Sequence, residues 1–144
     1  MAQVSFHTGV PERLAYLCRL LRKAQLAGAR IGVVGPGALL DRLDRELWVF
    51  GSTEFVPHVR LRPGRELAPR LAATPIQLSE HAEDLPHREV LLNIGPELPE
   101  GFEAFQRVLE VVSADAEQAQ RGRQRYRQYV ELGHPVEHHK VGEQ

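Results

Sequence analysis

RIGVVGPGALLDRLDRELW, residues 30–48, is the stretch that decides the fold. Arg30–Val34 is a short apolar run without alternation. It reads as a strand covered on both faces, as in a parallel pair. From about Pro36 the pattern changes to a helical period, with Leu39, Leu40, Leu43, Leu47 and Trp48 on the inward side. Strand, glycine turn and helix therefore follow one another directly. The preceding stretch has the same form. Gln3–His7 is a weakly alternating strand and Thr8–Gly9 a turn. Pro11 opens a helix, where its missing N–H costs nothing. Glu12 early and Arg22 and Lys23 late suit the helix dipole. Leu14, Leu17, Cys18, Leu21 and Ala24 form the apolar stripe, and Gly28 is the stop. The order β-α-β-α marks an α/β layered fold with crossover connections.

The remainder is less regular until its end. Phe50–Pro75 reads mostly as loop, with a short extended piece at 54–58 that Pro57 confines to a sheet edge or loop end. Ile76–Leu78, Val90–Ile94 and Val108–Val112 are candidate strands, and Gly95–Gly101, with its prolines and glycines, is a loop. Ala116–Gly133 is a helix by period. His134–Gln144 reads as a loose polar tail outside a single domain at 1–133.

At 144 residues the chain makes one domain with one core. Its net charge of −1 does not suit a protein built to wrap nucleic acid. The single cysteine, Cys18, lies on an apolar helical face and reads as a buried thiol in a reducing compartment. MAQVSFHTG lacks the pattern of a signal peptide, and no apolar run approaches the ~20 residues of a membrane span. The expected location is the cytoplasm, with no membrane partner.

Two motifs invite chemistry and neither completes it. GVVGPG at 32–37 follows a strand and opens a helix, as a dinucleotide fingerprint does. Its glycines fall as G-x-x-G-x-G, however, and Pro36 removes one N–H from the would-be anion site. A small nucleotide-binding α/β enzyme is the alternative function this turn allows. His134, His138 and His139 offer a metal spacing that no cysteine or acidic cluster completes. The serines lack a nucleophile context, and DRLDRE at 41–46 reads as a salt-laced helix face. No catalytic residue, metal ligand or cofactor is assigned.

The last helix carries the most distinctive face. Gly122, Tyr126, Tyr129, Val130 and Gly133 share one side of the helical period. Arg123 and Arg127 lie to one side of that stripe and Arg121 and Arg125 to the other. Rings and glycine gaps can receive an apolar group, while guanidinium forks can receive carboxylates. Such a seam fits a partner both apolar and acidic. It also admits a core stripe beside a solvated charged face, or single-stranded DNA with bases stacked on Tyr126 and Tyr129.

LDRELWVFGSTEFVPH at 43–58 and RYRQYVELGH at 125–134, in this order and in a chain of this length, resemble the chi subunit family of bacterial DNA polymerase III holoenzyme. The resemblance runs end to end. It implies a single Rossmann-like layered domain, a mostly parallel sheet flanked by helices, without a bound nucleotide. It implies a non-catalytic accessory subunit of the replicase and clamp loader. That subunit would dock the acidic C-terminal tail of single-stranded DNA-binding protein (SSB) and so meet DNA only indirectly. Carried over by position, the tail-binding residues are Arg123, Tyr126 and Arg127. Ala119 stands where the family often has a further cation, for which Arg121 or Arg125 could substitute. The resemblance also implies a psi subunit or equivalent clamp-loader partner, or a helicase, and Trp48 with Phe55 is the candidate contact.

Overall fold

A computed structural model describes residues 2–50, 55–62 and 68–141. The chain builds β1 (Gln3–Val10), α1 (Arg13–Leu26), β2 (Ile31–Val34), α2 (Gly37–Val49), β3 (His58–Arg60), β4 (Ile76–Ser79), β5 (Val90–Asn93), β6 (Arg107–Ser113), α3 (Ala116–Glu131) and β7 (Val136–Lys140). The strands form one seven-stranded sheet in the order β3-β4-β2-β5-β6-β1-β7. Every neighbouring pair is parallel. The α/β layered fold expected from residues 30–48 is present.

Both faces of the sheet are covered, which is why β2 and β4 are buried at every position. On one face α1 and α2 lay Leu17, Cys18, Leu21, Leu40, Leu43 and Leu47 against Ile31, Val33, Ile76 and Leu78. On the other, α3 and short 3-10 turns at Ala82–Asp84 and Phe102–Ala104 cover Val4, Phe6, Leu91 and Val108. Pro57 immediately precedes β3, an edge strand, as a residue without a donor requires. Part of the predicted extended piece at 54–58 lies outside the described residues.

Several details differ from the sequence expectation. The first strand does not turn at Thr8–Gly9 but runs to Val10, with a register irregularity between His7 and Val10. Gly9 holds φ 70° there, a left-handed conformation that glycine adopts without strain. α1 starts at Arg13, after Pro11, with Glu12 at the N-cap. Two acids of α2 reach beyond their own helix. Asp41 reaches Arg60 at 3.2 Å and Asp44 lies 3.1 Å from His58, so they tie α2 to the edge strand. Trp48 does not face inward; it is 60% exposed.

The largest difference is at the C-terminus. Val136–Lys140, expected as loose tail, forms β7 beside β1, with Val4↔Val136 through Thr8↔Lys140 in unbroken register. EHHK has no hydrophobic alternation to announce a strand, and only Val136 is even half-buried. The backbone supplies the pairing: Val4 N–H donates to Pro135 and Val141 N–H to Thr8 at 2.9 and 2.8 Å. The sheet therefore continues past residue 133.

A cationic cleft between the last helix and the sheet edge

Asp115 starts α3 by accepting the Gln118 N–H through its side chain, and Gly133 follows the helix at φ 87°. Gly122 sets how closely the helix lies on the sheet. A Cβ there would stand 2.8 Å from both Val112 methyls. The approach opens a cleft of about 460 Å³ between α3, β1 and β7. Its walls include Phe6, Val112, Tyr126, Arg123, His138 and Lys140. The Tyr126 ring packs at 5.2 Å from Phe6, tilted by 59°. His138 is steadied by Thr8, with Nε2 to Oγ1 at 2.6 Å. Ala119 also lines the cleft, and its methyl group adds no cation there.

The structure divides the helix-face candidates into two groups. Arg123 and Arg127 are exposed, and among the described residues neither meets a carboxylate. Tyr126 is half-buried in the cleft wall. Arg121 is exposed on another side, 3.5 Å from Glu117. Arg125 is not on any rim: it is only 4% exposed. Its Nε donates to Glu110 Oε1 and its Nη1 to the Pro96 carbonyl, both at 3.0 Å. Tyr129 is fully buried, and its hydroxyl donates to Glu110 Oε2 at 2.8 Å. Val130, counted with the apolar stripe, is exposed.

Glu110 explains this division. It sits mid-strand in β6 with no exposed surface, within the buried stretch from Val108 to Val112. Burial pushes its carboxyl above the ordinary carboxylate range, while Arg125, Asn93 and Tyr129 pull it back down. An unpartnered carboxylate there would be costly, and α3 supplies the missing donors. Burial and the neighbouring Glu110 also push the Tyr129 phenol up, so it remains a donor. A cation set around the stripe is therefore not what α3 provides. The second wall of the cleft comes from β7, where Lys140 supplies a cation and His138 an imidazole. Sequence reasoning missed both, because they fell in the presumed tail.

The other candidates also have definite places. Trp48 and Phe55 are each 60% exposed, with ring centroids 5.5 Å apart. The Trp48 ring also lies 4.9 Å from that of His58. They form an aromatic patch away from the α3 cleft. The glycines of 32–37 are accounted for by packing. A Cβ on Gly32 would meet Leu85 at 2.3 Å, and one on Gly35 would meet Ile94 at 2.7 Å. The crevice beside this turn is lined by Glu80, Glu83, Glu97 and Glu100, a set that repels phosphate. The three tail histidines do not converge. His138 and His139 are adjacent on a strand and point to opposite faces, while His134 packs on Phe102 at 5.0 Å. Among the described residues no group of three His, Cys, Asp or Glu could hold a metal ion, and no helix is long and apolar enough to cross a membrane.

Comparison with known proteins finds a match over residues 1–137 to the family described as DNA polymerase III chi subunit, HolC. The chain is also 32% identical over 130 residues to a DNA polymerase III subunit chi of Pseudomonas aeruginosa, covering 90% of this chain and 87% of that protein.

Proposed function

The chain belongs to the DNA polymerase III chi subunit family, and from that premise we propose that it is a non-catalytic accessory subunit of the replicase that captures the acidic C-terminal tail of SSB. The observation that carries this reading is the cleft beside α3, where an apolar floor of Phe6 and Val112 lies within reach of Arg123, His138 and Lys140. A tail that ends in aspartates and a phenylalanine with a free carboxylate presents the matching groups. Its ring fits an apolar floor and its carboxylates meet cations on both walls. Arg127, one helical turn beyond Arg123, extends the basic surface along the tail's path.

The energies fit a transient contact. Burying the terminal ring contributes roughly 1.5–3 kcal/mol. Each charge-assisted hydrogen bond adds about 1.5–3 kcal/mol before ordering costs, which remove several. The balance is a micromolar-class affinity, about −8 kcal/mol. Because the cations are exposed, the affinity falls as salt rises.

The aromatic patch of Trp48 and Phe55 is the second contact in this reading. Two large rings left in water mark a partner surface, here for a clamp-loader subunit or a helicase. It lies apart from the tail cleft, so one subunit can hold SSB and the replicase at once and touch DNA only through SSB. The cytoplasm is the compartment this role requires.

One set of titrations tests the assignment against its rivals: the SSB tail peptide, a nucleotide and a short oligo-dT, each added to the protein. Saturable binding of the tail peptide alone supports it. Binding of nucleotide alone would point to the glycine turn, and binding of the oligonucleotide alone to direct DNA contact. Tyr129, one of the two stacking rings that direct DNA contact would use, is in the core.

A further inference from the structure

The cleft accounts for the end of an acidic tail, and the open side of the sheet accounts for what precedes it. We propose that the segment just upstream of the docked terminus pairs with the outer edge of β7 as an additional strand; this rests on the tail-docking reading above. β7 ends the sheet order and, among the described residues, pairs only with β1. The backbone hydrogen bonds to β1 fix which groups face outward. Val4 N–H donates to Pro135 and Val141 N–H to Thr8, so the odd-numbered residues of this strand turn their peptide groups toward β1. In a parallel ladder the alternate residues then point theirs the other way, which places those of Val136 and His138 on the open side.

An edge of this kind is a template for an incoming extended peptide. Two protective devices common on edge strands are missing from β7: the span 136–140 contains no proline, and its register with β1 has no bulge; charge is present, in Glu137 and Lys140. Charge selects the occupant. Lys140 on the strand and Arg123, above the same edge from α3, are the cations here, set against the single acid Glu137. Position ties the edge to the cleft, because His138 belongs to both: its side chain lines the cleft while its peptide group faces the open side. A chain whose terminal ring lies against the packed Phe6 and Tyr126 rings in the cleft is therefore already at β7. An acidic, extended segment fits there, and backbone pairing makes no demand on its side-chain sequence.

The probe is an acidic peptide of about ten residues ending in phenylalanine with a free carboxylate, long enough for a strand of about 5–6 residues beyond the terminus. It is compared with its last few residues alone and with two versions N-methylated at alternate upstream positions, one in each register. The expected result is that the long peptide slows hydrogen exchange of the His138 amide at least roughly tenfold, a change the short one does not produce. One N-methylated register loses roughly tenfold in affinity and the other does not, since only one set of amides faces the edge. If the long peptide shifts Arg123 and Tyr126 resonances while His138 exchange is unchanged and both N-methylated peptides bind like the parent, strand pairing is wrong and tail docking stands. If no peptide binds, both are wrong.

Discussion

Replacing Arg125 by alanine separates two arginines that sequence alone treats alike. Arg125 and Arg123 are two residues apart on one helix, yet Arg125 is buried against Glu110 and Arg123 is exposed at the cleft. Arg125→Ala removes the 3.0 Å bond to Glu110 and the bond to the Pro96 carbonyl. The Glu110 carboxylate keeps Asn93 and Tyr129 as donors but loses its counter-charge. Breaking one side of a buried ion pair costs about 3–5 kcal/mol. That is a large part of the about 5–15 kcal/mol that holds an ordinary domain. The cost also has a sign in pH. Burial already holds the Glu110 carboxyl above its ordinary range, and deleting Arg125 removes the leading downward pull. A carboxyl raised by folding contributes stability that is present below its unfolded value and lost as pH rises through its folded value. The deficit of Arg125→Ala is therefore larger near pH 8 than near pH 4, about the ordinary carboxyl value. Urea unfolding of both proteins at the two pH values measures it. Adding Glu110→Gln to the variant recovers part of the loss, because no buried charge is left unpaired. A loss under about 1 kcal/mol near pH 8, within the range of an exposed ion pair, together with a clear drop in tail affinity, would falsify the placement of Arg125 in the core.

Gly122→Ala is expected to lower the urea midpoint although alanine favours helix by about 1 kcal/mol, since its methyl meets stiff Val112 at 2.8 Å and such overpacking costs about 1–3 kcal/mol. Trp48→Ala with Phe55→Ala leaves unfolding free energy within about 0.5 kcal/mol per site and abolishes recovery of the clamp-loader partner in a reconstituted pull-down; intact recovery removes the patch from the account. Cys18 is buried and its thiol is pushed up to about 11, first by burial. It therefore resists a thiol reagent in the native protein at pH values below that and reacts promptly once the protein is unfolded; prompt native labelling would contradict its place under α1.

The fold was legible because RIGVV and the period of 37–48 each admit one reading. A buried parallel strand looks like nothing else when a helix follows it within a few residues. β7 was not legible because VEHHK has no apolar alternation and its register is set by main-chain bonds to β1. That omission also hid the second wall of the cleft. Helical period placed Arg125 beside the stripe correctly, but it cannot say whether a guanidinium at the margin turns outward or inward. Glu110 decided the matter. A lone acid inside VLEVV was the available signal, because a buried strand that carries a carboxylate needs a donor from the element packed on it. Trp48 followed the same logic in reverse: its position on the period suits burial, and its large exposed ring, packed on Phe55 and His58, shows that the core ends before it.

The central claim is that the α3 cleft receives a negatively charged peptide terminus. Isothermal titration of the SSB tail peptide into the wild-type chain and into Arg123→Ala tests it most directly. The account predicts a micromolar Kd for the wild type, weakened roughly tenfold in the variant, about 1.4 kcal/mol, with unfolding free energy unchanged. Equal affinities for the two proteins would contradict it.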